Sequence, residues 1–128
     1  MIVSQTKKES TIFRQVCELI PPFLVSKLAT KHGVKSRAIS PWSHVVSMLY
    51  AQFTHAIGLN DICDALRAYR SNVFSIRGAT APSRNGLSNA NKTRSAKMAE
   101  DLFWNMMSHL EKLKPGFGGD QFRKIPNR

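Results

Sequence analysis

The chain has 128 residues, and its 19 Lys and Arg against 8 Asp and Glu give a formal net charge of +11. That length suits one domain, and a 42% hydrophobic share is enough for a single buried core. No apolar run is long enough to span a bilayer, and Met1-Ile2-Val3-Ser4-Gln5 lacks a basic-then-apolar export pattern. The two cysteines, Cys17 and Cys63, are too few for a disulfide framework.

Apolar/polar alternation and hairpin dipeptides are missing, whereas helical periodicity is strong. Ile12, Phe13, Val16, Cys17 and Ile20 form a first stripe, closed by Pro21-Pro22. Pro22 opens a short second helix through Phe23, Leu24, Lys27 and Leu28 that stops near Gly33. Ser40-Pro41-Trp42 is a helix start, with Ser40 as N-cap and Pro41 at the first helical position. Trp42, Val45, Val46, Leu49, Phe53, Ala56 and Ile57 follow at helical spacing until Gly58. Asn60 is expected to cap the next helix, whose stripe is Leu59, Ile62, Cys63, Leu66 and Tyr69. Asp61 and Asp64 fall in its first turns, where the helix dipole favours negative charge. Val73 to Ile76 reads as an apolar turn leading to Gly78. Thr80-Ala81-Pro82-Ser83 opens a further helix, and a long one follows through Met98, Leu102, Phe103, Met106, Met107, Leu110 and Leu113.

The resulting expectation is an all-α, compact bundle of about six helices with a helix-turn-helix-like pair. Residues 1–10 are expected to form a flexible arm, 11–113 the helical domain, and 114–128 an extended or disordered tail. Trp42, Val46, Leu49, Phe53, Leu66, Leu102, Phe103 and Met106 are the expected buried set. Both cysteines fall on apolar faces and are expected as buried thiols.

Function is expected between Ala65 and Ala99, a stretch without an acidic side chain. It carries Arg67, Arg70, Arg77, Arg84, Lys92, Arg94 and Lys97, interleaved with Asn, Ser and Thr. Cations neutralise phosphates, and amides and hydroxyls read base edges or bond phosphate oxygens. The field of so basic a chain favours nucleic acid or anionic lipid and makes association salt-sensitive. A solvated basic face has the same composition.

The helix from Asn60, the break between Val73 and Gly78, and the helix from Ser83 form the helix-turn-helix-like succession. At about 100° per residue, Leu87 and Ala90 share a narrow apolar face on the last helix, while Asn85, Ser88, Asn89 and Lys92 spread over the opposite one. Arg84 lies at its N-terminal end, where a recognition helix meets bases. Asn91 falls beside the core face and is expected to be a buried hydrogen-bonding residue. Arg84, Asn85, Ser88, Asn89 and Lys92 are thus the candidate base contacts. Arg67, Arg70, Arg77, Arg94 and Lys97 are the candidate phosphate contacts.

Catalytic signals are weak. Helix capping explains Asp61 and Asp64, and Glu100 and Asp101 open the long helix and point apart. His32, His44, His55 and His109 form no i, i+4 pair, and no CxxC spacing supports zinc. No catalytic residue, metal, cofactor or small-molecule substrate is expected.

The chain also resembles a known family. The residues that carry the resemblance are Phe13-Arg14-Gln15-Val16 with Leu19-Ile20-Pro21, Lys31-His32-Gly33, Ser40-Pro41-Trp42, Leu49-Tyr50-Ala51-Gln52-Phe53 and Leu59-Asn60-Asp61-Ile62. Ser83-Arg84 with Leu87, Ala90-Asn91 and Arg94 follow, and then Glu100-Asp101-Leu102-Phe103. In this order they resemble the N-terminal domain of insertion-sequence-four-type DDE transposases, from about residue 10 to residue 113. The resemblance implies a double-stranded DNA-binding module for transposon terminal inverted repeats, in the cytoplasm with the nucleoid. Phe122-Arg123-Lys124 resembles the segment before the strand that bears the first catalytic aspartate, and Asp120 matches no catalytic position, so the resemblance withholds catalysis. Partners would be double-stranded DNA and either full-length transposase or a second copy, with no membrane. One rival is a protein-interaction or inhibitory module, favoured by an exposed apolar face around Phe13, Phe23 or Leu110. Another is RNA binding, for which the basic stretch offers only Tyr69 and Phe74 as stacking rings.

Overall fold

A computed structural model describes residues 12–35, 39–54, 58–94 and 96–113. The expected arm and tail, and Ala56 and Ile57 of the Trp42 stripe, lie outside the described residues. Within them the chain is all-helical, without a strand. The helices are α1 (12–18), α2 (Leu24–Lys31), α3 (Pro41–Thr54), α4 (Leu59–Ala68), α5 (Arg70–Phe74), α6 (Arg84–Thr93) and α7 (Ala96–Leu113). The count among the described residues is seven rather than six because the stripe expected to end at Tyr69 breaks there and restarts. Tyr69 leaves helical geometry (φ −112°, ψ 32°), and the apolar turn expected at 73–76 is helical through Phe74.

Local chemistry sets several of the helix ends. The Ser43 amide donates to Ser40 Oγ (3.1 Å), which makes Ser40 the cap of a helix that begins at Pro41. Ser83 does the same for α6, its hydroxyl accepting from the Gly86 amide at 3.0 Å. Gly33, with φ 66°, terminates the α2 region in the left-handed conformation that glycine adopts without cost. Asn60 is not a cap. The extended residue before α4 is Gly58, whose carbonyl accepts from the Ile62 amide at 3.1 Å, and Asn60 is already inside the helix.

The main core is built from Phe13, Cys17, Ile39, Val46, Ile62, Cys63, Leu66, Val73, Ile76, Ala79, Leu87 and Ala90. It joins α1, α3, α4, α5, the loop after α5, and α6. Phe13 pins α1 to α3 through Tyr50 and Phe53, each with ring centroids 5.5 Å away. A second cluster of Ile20, Val25, Leu28, Ala29 and Met98 joins α2 to α7, and Trp42 and Leu49 touch both clusters.

Of the expected buried set, Val46 and Leu66 are fully buried, and Trp42, Leu49, Phe53, Leu102 and Met106 are partly buried against the clusters. Phe103 is the exception, at 44% exposure. Met98, Leu102 and Met106 recur every fourth residue and take the inward face of α7. Phe103, one residue from Leu102, is rotated about 100° away from that face. α7 therefore lies at the edge of the bundle and not at its centre.

Candidate nucleic-acid interface

α6 packs on α4, and two side-chain contacts fix its N-terminus there. The Cys63 thiol donates to the Ser83 carbonyl at 3.7 Å, and Arg84 Nη2 donates to both Asp64 oxygens at 2.9 and 3.1 Å. Gly86, Leu87 and Ala90 face inward and are buried. Asn85, Asn89 and Lys92 stand at i, i+4 and i+7 on the opposite face and are exposed, while Ser88 is half-buried at its margin. Arg84 is exposed in its ion pair with Asp64. An ion pair so open to water contributes about 0–1 kcal/mol, so it can orient the guanidinium without holding it against a stronger anion.

Asn91 was expected to be buried. It is exposed, although hydrogen-bonded, with its Oδ1 2.6 Å from His44 Nε2. At the seam between α3 and α6 the side chain reaches outward over the half-buried imidazole. Burial of that imidazole pushes the His44 pKa below its usual value, the Asn91 hydrogen bond opposes the shift, and the Arg94 charge adds to it.

The five candidate phosphate contacts divide. Arg67 and Arg70 are exposed on consecutive helices, α4 and α5, and Arg70 Nη1 donates to the Arg67 carbonyl at 3.2 Å. Lys97 is exposed in the first turn of α7, 3.8 Å from Glu100. The guanidinium groups of Arg77 and Arg94 are engaged by backbone carbonyls of the fold, Arg77 while remaining open to water on one side. Arg77 Nη2 donates to the carbonyls of Cys17 (3.0 Å) and Ile20 (2.7 Å), and the group lies 4.5 Å over the Trp42 ring. Arg94 donates to the carbonyls of Lys35 (3.1 Å), Ser40 (3.5 Å) and Ile39, and burial lowers its pKa. These arginines fasten loops to helices across more than fifty residues of sequence.

Two further side chains that position this surface are the buried serines of α3. Ser43 Oγ accepts from the Thr80 amide at 2.9 Å and lies 3.1 Å from Thr80 Oγ1. Ser47 Oγ donates back to the Ser43 carbonyl at 2.7 Å. Ser43 thereby ties α3 to the loop that feeds α6. Their only sequence signal is the i, i+4 spacing of two hydroxyls inside the Trp42 stripe.

Three carboxylates are engaged by cations or histidine: Asp64 by Arg84, Glu100 by Lys97, and Asp101 by Lys31 (3.0 Å) and His32 (2.7 Å). Among the described residues no group of three or more His, Cys, Asp or Glu is placed to hold a metal. Both cysteines are free and buried, as expected. Burial raises the pKa of Cys63 and pushes that of Cys17 up to about 12, so both remain thiols at neutral pH and are inert as nucleophiles. Among the described residues no helix is long and apolar enough to cross a membrane.

No curated protein and no solved structure matches the chain. A family pattern does match it, over more than half its length, from before α1 through α5 and ending short of α6. By that match over residues 8–76, the chain belongs to the family described as Domain of unknown function (DUF4372).

Proposed function

We propose that the chain is a sequence-specific double-stranded DNA-binding module, the N-terminal part of an insertion-sequence-four-type transposase that grips the terminal inverted repeats. One observation carries this reading: Asn85, Asn89 and Lys92 share the outward face of a helix whose other face is locked into the core, inside a stretch with no carboxylate. The resemblance in motif order supports the transposase context. In this reading α6 enters the groove, Arg84, Asn85, Ser88, Asn89 and Lys92 meet bases, and Arg67, Arg70 and Lys97 hold phosphates. Arg77 and Arg94 hold the fold instead. The module binds and does not cut.

The test is a binding titration with a duplex carrying the inverted repeat that flanks its gene, against a scrambled duplex, at two salt concentrations. About three phosphate contacts give a log K against log salt slope of roughly −3, and Arg70→Ala flattens it by about one unit. Asn85→Ala costs about 1–3 kcal/mol on the cognate duplex and much less on the scrambled one. Discrimination that survives both Arg84→Ala and Asn85→Ala removes α6 as the reader.

A second reading, a protein-interaction module, rests on a different surface. Ile12, Val16 and Leu19 of the α1 region are 40–47% exposed, and Phe23 beside them is 85% exposed. Of the residues named for this rival, Phe13 is buried and Leu110 half-buried, so Phe23 alone bears on it. Concentration-dependent self-association abolished by Phe23→Ser with duplex binding intact is the result that favours it.

A further inference from the structure

A cleft of about 700 Å³ opens beside the N-terminal approach to α6. It is lined by Arg67, Arg70, Ser71 and Phe74 and by Thr80 and Ala81 of the loop before α6. The Phe74 ring is 63% exposed, and among the described residues it pairs with no other ring. The two arginines have no carboxylate partner among the described residues. Cations for a phosphate and a bare aromatic face for a planar ring are together the chemistry of a nucleotide whose base is out of the stack. A base pair inside a duplex offers no such face, because its neighbours cover it.

We propose that this cleft receives one unpaired nucleotide of a DNA strand, with the base against Phe74 and the flanking phosphate on Arg67 and Arg70. The proposal rests on the double-stranded DNA reading, because Ala81 lies only three residues before α6 and a strand leaving a duplex held by α6 would pass the cleft. A strand is favoured over a free nucleotide because the cleft is open to solvent, so a chain can enter and leave it while one of its phosphates meets Arg67 and Arg70.

The experiment compares a blunt duplex, the same duplex with a short single-stranded extension at either end, and free deoxyadenosine monophosphate. The extension carries 2-aminopurine as its first unpaired base. Expected results are about tenfold tighter binding of one extended duplex than of the blunt one, with a change in 2-aminopurine emission as the base leaves the terminal stack. Phe74→Ala removes both the gain and the emission change while leaving blunt-duplex affinity unchanged, and Phe74→Trp restores the gain. Equal binding of blunt and extended duplexes, or a gain that survives Phe74→Ala, overturns the proposal and leaves the duplex reading standing. Free nucleotide binding as tightly as the extended strand also overturns it. Failure of every duplex to bind overturns both.

Discussion

Replacing Arg77 tests the structural role the fold gives it against the phosphate role expected from sequence. Its guanidinium makes two charge-assisted hydrogen bonds to the carbonyls of Cys17 and Ile20 and lies 4.5 Å over Trp42, whose Nε1 donates to the Ile76 carbonyl at 2.8 Å. The side chain is open to water on one side. Each hydrogen bond is therefore assigned about 1 kcal/mol, below the range for buried charged donors, and the ring contact about 0.5–1 kcal/mol. Arg77→Ala should then cost about 2–3 kcal/mol. For a domain of this size about 1 kcal/mol moves Tm by about 4–8 °C, so the expected drop is about 10–20 °C. The backbone supplies an internal control. Arg77 has φ 47°, in the left-handed region that costs a side-chain-bearing residue about 1–2 kcal/mol. Arg77→Gly loses the same contacts but relieves that strain, and should melt higher than Arg77→Ala by about 1 kcal/mol in equivalent stability. The assay is thermal and urea unfolding followed by circular dichroism, with Arg67→Ala as the exposed comparison. An Arg77→Ala protein that melts within about 2 °C of the parent, or a glycine variant less stable than the alanine one, refutes the reasoning.

Other outcomes follow from burial and titration. Leu87 is fully buried where α6 meets the core, so Leu87→Ala should lower unfolding free energy by about 3 kcal/mol or more, read from urea midpoints. Asn91→Ala should cost no more than about 1 kcal/mol, because the hydrogen bond it loses is exposed and water can replace Asn91 at His44. The folded pKa of His44 is depressed, so the unfolded chain binds more protons as pH falls. This contribution is complete above the unfolded value of about 6.5 and is lost as pH falls through the folded value. Melting at pH values above and well below that point should show a smaller acid loss in His44→Gln than in the parent.

The parts of this fold that were legible in sequence are those set by neighbours along the chain. Ser40-Pro41 and Ser83 announce helix starts because a cap needs only a hydroxyl and the amide three residues later. Leu87 and Ala90 were readable as the inner face of α6 because helical spacing alone puts them together. Long-range contacts were not legible. Arg77 and Arg94 have the composition of phosphate ligands, and only folding brings the carbonyls of Cys17, Ile20, Lys35 and Ile39 within their reach. Phe103 was misplaced because the apolar spacing of α7 serves two faces, and sequence does not say which of them finds a neighbour. The break at Tyr69 has no proline or glycine to mark it. The candidate surface was therefore legible only as a basic stretch, and which of its arginines brace loops became visible with the fold.

The division of the interior into two clusters has a dynamic consequence. Met98 is the only buried side chain among the described residues of α7, and it sits in the cluster shared with α2, whereas Leu87 of α6 belongs to the other. Breaking the small cluster and the Asp101 contacts to Lys31 and His32 releases α7 without opening the large one. Amide hydrogens of α7 should accordingly exchange through a sub-global opening of low free energy, while those at the centres of α3, α4 and α6 wait for global unfolding. A force or a binding event acting on α7 can then reorient it while α6 keeps its seat on α4.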